Sequence, residues 1–282
     1  MDVIQSILMG IVQGLSEFLP ISSSAHLVFT SALYKFFTSM QISAETGEEI
    51  FFNMMLHLGT LFAVLLFFKK EIVDICKALW NAICTKSLEN ADAKMGVYII
   101  IATFFTILIA YPLKDVAEVL VFSPAIVGFL LVLTGIYLFV SERINSKSEK
   151  TDKIALKSGI LMGIAQGLAA FPGFSRSGLT IATGLLSGAD RVTCAKFSFL
   201  LSIPIILGTS VLYPMLELNF ADVVNFNWLS IIVGTIVSGI VGYYCIKYFL
   251  KFLARFSLAF FAYYCVIVGL AFGVFFSVVK VY

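Results

Sequence analysis

Charged residues are scarce in this chain. Lys, Arg, Asp and Glu make up 13% of its 282 residues, against roughly a quarter in soluble domains, while hydrophobic residues make up 60%. These proportions exclude a water-soluble domain, and we expect an integral membrane protein surrounded by membrane lipids, with no nucleic-acid partner. The net charge of +2 says little about partners, because the placement of charges matters more than their sum in a membrane protein.

The chain also lacks the cysteine pattern of a disulfide-rich or zinc-binding protein. Its five cysteines are scattered without a Cys-x-x-Cys pair, so we expect neither a disulfide framework nor a metal cage. A basic N-terminal segment is missing as well, because Asp2 precedes the first apolar run and Gln5 and Glu17 interrupt it. We therefore expect no cleaved signal peptide.

Six apolar blocks are long enough to cross a hydrocarbon core, which takes about 20 helical residues. They lie at about 51–68, 97–111, 124–140, 192–212, 227–247 and 256–279. Two further apolar blocks, 2–37 and 159–188, are interrupted by Pro20 and by the pair Pro172 and Gly173. A helix loses a backbone hydrogen bond at proline, and lipid tolerates such a break only where protein or a water-filled cavity surrounds it. We therefore expect each of these two blocks to form a half-helix, a turn and a second half-helix.

Basic residues concentrate in four of the connections between these blocks. They are Lys69, Lys70, Lys77, Lys86, Lys94, Arg143, Lys147, Lys150, Lys153, Lys157, Arg191, Lys196, Lys247, Lys251 and Arg255. The other connections carry mainly acidic residues, namely Glu45, Glu48, Glu49, Asp115, Glu118, Glu217 and Asp222, with Lys35, Lys114 and Lys280 beside them. The positive-inside rule places the basic set in the cytoplasm. This assignment requires that 159–188 enters and leaves from the cytoplasm and that 2–37 does so from the outside, so both are expected to be re-entrant.

An internal repeat supports this arrangement. The stretch GIVQGLSEFLPISSSAHL, residues 10–27, aligns without gaps with GIAQGLAAFPGFSRSGLT, residues 163–180, and eight of eighteen positions are identical. Each copy precedes three spans and the charge rule orients the two halves oppositely, as in inverted repeats whose broken helices meet near the bilayer midplane. We predict an all-α integral membrane protein with six transmembrane helices and two re-entrant broken-helix loops. It is a single domain over 1–282, with a first repeat in 1–140 and a second, inverted repeat in 159–282.

Polar and ionisable side chains cluster in both breaks. The first holds Gln13, Glu17, Ser22, Ser23, Ser24 and His26, and the second holds Ser175, Arg176, Ser177 and Thr180. An ionisable residue is costly at that depth, so a functional role is its first interpretation. A helix restarts after each break with serine near its first turn, where free backbone N–H groups and the helix dipole favour anions. Two such helix starts beside Arg176 predict an anion site, with phosphate as the expected occupant.

Such a site suits cleavage of a phosphate ester. In this hypothesis the residues of the second break bind the phosphate and those of the first break react with it. Arg176 neutralises charge on the phosphates. Ser23 is a candidate nucleophile with His26 as its base or as proton donor to the leaving oxygen, and direct attack by His26 is the alternative. Glu17, with Gln13, either holds a divalent cation such as Mg²⁺ or Ca²⁺ or orients His26. The further candidate substrate contacts are Ser22, Ser24, Ser175, Ser177 and Thr180.

Simpler structural roles stand beside these hypotheses. Close helix packing is the alternative for Ser22, Ser24 and Ser177. Glu17 and Arg176 also fit a buried structural ion pair. His57, in MMLHLGTL, fits a helix-contact histidine better than a direct catalytic residue.

The sequence resembles the undecaprenyl-diphosphate phosphatase (bacitracin-resistance) family of integral membrane enzymes. The resemblance lies in two long motifs, QGLSEFLPISSSAH and PGFSRSGLT, in LHLGTLFAVL between them and in KFSFLLSIPIILG after them. It implies removal of the terminal phosphate of a polyprenyl diphosphate, which gives the monophosphate lipid carrier used in cell-envelope synthesis. By this resemblance the family's site residues fall on Gln13, Glu17, Ser23, His26, Ser175, Arg176, Ser177 and Thr180. Many members have glutamate in place of Gln13, so this chain carries one negative charge fewer for metal binding.

The combined prediction is a plasma-membrane phosphatase whose site opens to the extracytoplasmic side, because the loop with Glu17 and His26 enters from there. The amphipathic segment 71–84 is expected to lie on the cytoplasmic interface. A homodimer is the oligomer we consider. The alternative function is a transporter or flippase for polyprenyl phosphate, because inverted repeats with broken helices are the usual transporter design.

Overall fold

A computed structural model describes residues 2–37, 47–145, 150–212, 223 and 225–278. Apart from one isolated β-bridge, the regular structure in these ranges is helical. The helices are α1 (Val3–Ser16), α2 (Ser23–Phe37), α3 (Gly47–Phe67), α4 (Lys69–Thr85), α5 (Ala91–Ala110), α6 (Lys114–Leu120), α7 (Pro124–Asn145), α8 (Leu156–Leu168), α9 (Arg176–Leu186), α10 (Arg191–Leu207), α11 (Trp228–Leu253) and α12 (Ala259–Val278). A 3₁₀ turn, Tyr111–Leu113, joins α5 to α6, and a π-helical turn, Gly208–Leu212, extends α10.

Six helical segments are long and apolar enough to cross a membrane, which confirms the predicted number of spans. They are Gly47–Phe67, Ala91–Leu120, Pro124–Asn145, Arg191–Val211, Trp228–Leu253 and Ala259–Val278. Their ends differ from the predicted ones by several residues, since polar residues such as Asp92 can continue a helix beyond its apolar part. Part of the charge pattern used to orient the chain lies outside the described residues, namely Glu45, Lys147, Glu217, Asp222 and Lys280.

Both interrupted blocks are broken helices, as predicted. Helix α1 ends before the break that contains Pro20, and α8 ends before the break that contains Pro172. The second block starts at Leu156, three residues earlier than the expected 159.

The two ends of each broken block lie together. Near the ends of the first block, the Tyr34 hydroxyl donates to Asp2 Oδ2 at 2.8 Å. At the ends of the second, Thr151 pairs with Ala189 in an isolated bridge, and the Asp190 N–H donates to the Thr151 carbonyl at 2.9 Å. Each block therefore doubles back on itself, which is the geometry that a re-entrant loop needs. Entry from opposite sides of the membrane, and the repeat boundaries at 1–140 and 159–282, stay predictions.

Equivalent helices of the two sequence copies pack in equivalent ways. Helix α1 lies along α11, and a Cβ added at Gly14 would approach the Ser238 carbonyl oxygen to 2.8 Å. Helix α8 lies along α5 in the same manner, and a Cβ added at Gly167 would approach the Thr106 carbonyl oxygen to 2.9 Å. Since Gly14 and Gly167 are aligned in the repeat, the same small-residue contact packs each first half-helix against a span from the other half of the chain.

Helix α4 packs through one face against α5 and the edge of the core, with Ile72 and Ile75 partly buried, and leaves its other face exposed. It contains no fully buried residue, and Trp80 is 71% exposed. An amphipathic helix of this kind, with lysines and one tryptophan, is typical of a membrane surface. The amphipathic segment 71–84 is thus part of one surface helix, and its cytoplasmic location stays a prediction.

Candidate active site

The two breaks meet at the centre of the bundle. The Ser177 hydroxyl donates to the Leu19 carbonyl at 2.9 Å, and the Ser22 hydroxyl donates to the Phe174 carbonyl at 3.3 Å. The Gly173 N–H contacts Ser24 Oγ at 3.4 Å. These bonds satisfy backbone groups that the interrupted helices leave free, which is obligatory in a water-poor interior. Residues about 150 positions apart in the sequence are thereby fixed side by side.

Serine caps both helices that start at the breaks. Ser175 Oγ accepts from the Gly178 N–H at 3.0 Å, and Ser22 Oγ accepts from the Ala25 N–H at 3.3 Å. Ser22 also has a left-handed backbone with φ of 68°, and Gly173 has φ of 103°. The chain reverses direction at these positions, so that the first turns of α2 and α9 face the same region.

Glu17 lies between the breaks and is only 6% exposed. Its Oε1 pairs with Arg176 Nη2. Its Oε2 accepts from Ser23 Oγ at 2.8 Å and from Gln13 Nε2 at 3.0 Å. The next residue, Phe18, is fully buried against Phe199 in an edge-on contact at 5.3 Å between ring centroids. Packing of Phe18 and the three donors hold the carboxylate in place, and Arg176 balances its charge.

His57 joins this cluster, where the sequence favoured a helix contact. It is the middle residue of the 21-residue α3, and its Nδ1 lies 2.8 Å from Gln13 Nε2 and 3.3 Å from Glu17 Oε2. Its position within an apolar span was the available signal, because an ionisable residue near mid-span favours a functional role. The contact itself could not be read from spacing, since His57 is 44 residues from Gln13.

His26 has different neighbours from those expected. Its Nδ1 lies 2.8 Å from the Ser22 carbonyl, and its Nε2 lies 2.8 Å from the Tyr264 hydroxyl. A carbonyl can only accept, so Nδ1 carries the proton and Nε2 accepts from Tyr264. The Tyr264 ring also stacks on the imidazole at 5.7 Å. Within the described ranges no hydrogen bond joins His26 to Ser23 or Glu17, and Glu17 is the group that pairs with Ser23.

Thr180 and Ser198 support Arg176 from the buried side. Thr180 Oγ1 donates to the Arg176 carbonyl at 2.8 Å and bonds to Ser198 Oγ at 2.6 Å. The Ser198 carbonyl accepts from Arg176 Nη1 at 3.4 Å. Thr180 is fully buried, whereas the Arg176 side chain is 18% exposed. Over the described residues, the partly exposed guanidinium donates to the Ser198 carbonyl and to Glu17, which leaves other N–H groups for a ligand. Direct contact of Thr180 with substrate stays a prediction.

The protein oxygens here suit a hard cation only in part. Over the described residues, no group of three His, Cys, Asp or Glu side chains lies together as a metal site would require. Glu17 provides one carboxylate, and the buried Gln13 Oε1 has no hydrogen-bond partner in the described part of the chain. Mg²⁺ commonly binds through one or two carboxylates together with substrate phosphates and water. This donor set therefore fits an ion that arrives with a phosphate ligand.

The arrangement as a whole suits phosphate chemistry. A cation, a hydroxyl and an imidazole, from Arg176, Ser23 and His57, are partly exposed around the buried Glu17 carboxylate. The Arg176 guanidinium can bind a phosphate, and the Ser23 hydroxyl already donates a hydrogen bond to the Glu17 carboxylate, which can accept its proton. Of the predicted residues, the structure brings together Gln13, Glu17, Ser23 and Arg176 and links Ser22, Ser24 and Ser177 across the breaks. Ser175 caps α9 and contacts Ser177 within its own break.

Comparison with known proteins identifies the family. A family model described as bacitracin resistance protein BacA matches residues 6–271. An undecaprenyl-diphosphatase of Methanobrevibacter smithii is 40% identical over 279 residues, which are 96% of each chain. Undecaprenyl-diphosphatase 2 of Halalkalibacterium halodurans is 38% identical over 267 residues, 94% of this chain and 93% of its own. The names of these relatives give no support to the transporter alternative. The chain belongs to the BacA bacitracin-resistance protein family.

Proposed function

We propose that this chain is an integral membrane phosphatase that hydrolyses undecaprenyl diphosphate to undecaprenyl phosphate and inorganic phosphate. The product is the lipid carrier, which the reaction returns to cell-envelope synthesis. The observation that carries the proposal is the Arg176, Glu17 and Ser23 cluster where two helix starts meet, in a chain whose relatives are named undecaprenyl-diphosphatases.

The diphosphate lies at the junction of the two breaks and the isoprenyl tail lies between helices. Arg176 is the binding group, because its unused N–H groups suit a planar, forked contact with phosphate oxygens. The backbone N–H groups at the starts of α2 and α9 add fixed dipoles toward the same region. Ser22, Ser24, Ser175, Ser177 and Thr180 keep the breaks in position.

Ser23 is the nucleophile in this proposal. Its Oγ attacks the terminal phosphorus, its proton passes to the Glu17 carboxylate at 2.8 Å, and the bond from that phosphorus to the bridging oxygen breaks. Undecaprenyl phosphate leaves with the electron pair. Water then attacks the phosphoserine, inorganic phosphate is released, and Glu17 returns the proton to Ser23. His26 is less suited to attack, because both of its ring nitrogens are occupied by Ser22 and Tyr264.

The site would hold a divalent cation, Mg²⁺ or Ca²⁺, when the diphosphate is bound. Glu17 is the protein carboxylate that would hold it, and Gln13 Oε1 is the neighbouring oxygen without a partner. The ion would neutralise part of the phosphate charge. Because the protein offers so few ligands, we expect binding of Mg²⁺ alone to be weaker than about 1 mM by titration calorimetry, while chelation still removes activity.

The protein works as a multi-pass protein of the plasma membrane, with the site open to the extracytoplasmic side. The support is the excess of lysine and arginine in the connections on the other side of the spans. His57 is the middle residue of its span, which favours a site near mid-depth. The homodimer stays a prediction.

The test of function is product analysis with purified protein in detergent and in liposomes. Farnesyl diphosphate and undecaprenyl diphosphate should each yield the monophosphate and one equivalent of inorganic phosphate. Ser23→Ala should lose most of this activity while the melting temperature is retained. Movement of lipid across the liposome without phosphate release would contradict the proposal and favour a transporter.

A further inference from the structure

The cluster around Glu17 contains one ring nitrogen that has no partner among the described residues. His57 is about one-third exposed at its side chain, 31%. Its Nδ1 faces Gln13 and Glu17, whereas its Nε2 has no hydrogen-bond partner in the described part of the chain. A hydrogen-bonding atom left free on the accessible side of an otherwise satisfied polar cluster is available to a ligand.

The orientation of the Gln13 amide decides which ring nitrogen carries the proton. The same amide atom lies 3.0 Å from Glu17 Oε2 and 2.8 Å from His57 Nδ1. An amide oxygen at this point would face a carboxylate oxygen, and neither could donate. The NH₂ group fits, because one N–H reaches Glu17 and the other reaches Nδ1. Nδ1 is then an acceptor, so the neutral ring carries its proton on Nε2.

We infer that His57 is a further catalytic residue, whose Nε2–H donates a hydrogen bond to a phosphate oxygen of the diphosphate, and that Gln13 fixes the tautomer required for this. The inference rests on the proposed phosphatase function. It gives the two neighbours of Glu17 distinct tasks: Gln13 orients the imidazole from behind, and the imidazole contacts the substrate. Glutamate at position 13 could not make both donations in its ionised form, so Gln13 and His57 act as a pair in this chain.

Two amide substitutions separate the two ring nitrogens. Glutamine in His57→Gln can place an N–H near the position of Nε2, whereas asparagine in His57→Asn places its amide near Nδ1 and reaches no further. A donor to a charged phosphate is worth tens to hundreds of fold in rate. We expect kcat/KM for farnesyl diphosphate to fall less than about tenfold in His57→Gln and about 100-fold in His57→Asn and His57→Ala, with unchanged melting temperatures.

The reverse order, with His57→Asn active and His57→Gln inactive, would overturn the inference, because it would show that only the Nδ1 side matters. Full activity in all three variants would overturn it as well. If the variants unfold, ¹⁵N-histidine NMR of the wild-type chain decides, since the chain has only two histidines. Methylenediphosphonate should shift the protonated Nε2 signal of His57, and an unchanged signal under saturation would contradict the contact.

The wild-type control separates this inference from the proposed function. If the wild-type chain releases no phosphate from any polyprenyl diphosphate, the proposed function fails. The NMR titration with methylenediphosphonate still tests the His57 contact in that case, because it requires binding and not turnover.

Discussion

Among the single residues of the cluster, the Glu17 carboxylate determines how the others are arranged. A buried carboxylate is costly unless donors surround it, and Arg176, Ser23 and Gln13 provide them. The same contacts that offset burial also place a serine hydroxyl against a proton acceptor. The ion pair between Glu17 and Arg176, which the sequence offered as a structural alternative, is present. It is compatible with the predicted functional role, because the Arg176 side chain stays partly exposed while it pairs with Glu17.

Ser23 and Ser24 provide a matched pair for the nucleophile assignment. Ser23 Oγ donates to Glu17, whereas Ser24 Oγ bonds to Ser22 and the Gly173 N–H. We expect Ser23→Ala to lower kcat for farnesyl diphosphate by about 10³-fold, because activated nucleophiles and their bases contribute on that scale. Ser24→Ala should lower kcat by less than about tenfold. Equal losses in steady-state phosphate release would mean that Ser23 has no special role.

Sequence reasoning reached the residues of the breaks and missed those contributed by distant helices. Glu17, Ser23 and Arg176 follow from the aligned repeat, because the alignment places both breaks at one depth. His57 on α3 and Tyr264 on α12 do not, since no local spacing connects them to Gln13 or His26. The catalytic roles of all these residues stay predictions until variants are measured.

Glycines allow the half-helices to pack closely against their partner helices. A Cβ at Gly163 would clash with the Ala102 carbonyl, whereas a Cβ at Gly159, one turn earlier on α8, would meet Phe197 at 3.4 Å, an ordinary contact. Backbone carbonyls cannot move aside as a side-chain tip can. Helix α8 therefore keeps its distance from α5 only with glycine at 163.

These two glycines give a stability prediction. Gly163→Ala should destabilise the protein by about 1–3 kcal/mol, the usual cost of overpacking a buried contact. Gly159→Ala should be neutral within about 1 kcal/mol, because alanine also improves helix propensity at that position. The measurement is the melting temperature in detergent. A Gly159→Ala loss as large as that of Gly163→Ala would show that contact geometry does not explain the effect.

The sequence predicts the helices and the two breaks, but it does not predict the residues at which the helices begin and end. Proline inside an apolar run forces an interruption, so Pro20 and Pro172 located both breaks. The start of α5 at Ala91 was missed because its first turn is polar and is capped by Asn90, whose side chain accepts from the Asp92 N–H at 2.8 Å. Hydrophobic run length detects the apolar part of a span, and caps determine where the helix begins.

For the molecule as a whole, the positive-inside rule predicts the orientation in the membrane from the charges at the two ends of the spans. Helix α4 carries the exposed Cys84, and Asp115 lies exposed beyond the other end of α5. If the positive-inside assignment is right, these two positions lie on opposite sides of the membrane. The three cysteines outside α4 are buried, so a thiol reagent should reach them poorly.

Thiol labelling tests this orientation. A membrane-impermeant maleimide should leave Cys84 unlabelled in intact cells and label it after permeabilisation. A cysteine placed by Asp115→Cys, in a Cys76→Ser and Cys84→Ser background, should be labelled in intact cells. The background variant without the added cysteine serves as the control. Labelling of Cys84 in intact cells would contradict the cytoplasmic position of α4 and the extracytoplasmic opening of the site.

If the two breaks form one phosphate-cleaving site, the site depends on Arg176, which is the one charged residue that the second break contributes. Purified Arg176→Ala should release phosphate from undecaprenyl diphosphate about 10³-fold more slowly than the wild-type chain, as for arginines that contact transferring phosphates. The rate of phosphate release by Arg176→Lys should lie between these two rates. Arg255 is exposed, and Arg255→Ala should release phosphate at the wild-type rate. Full phosphate release by a folded Arg176→Ala protein would contradict the account.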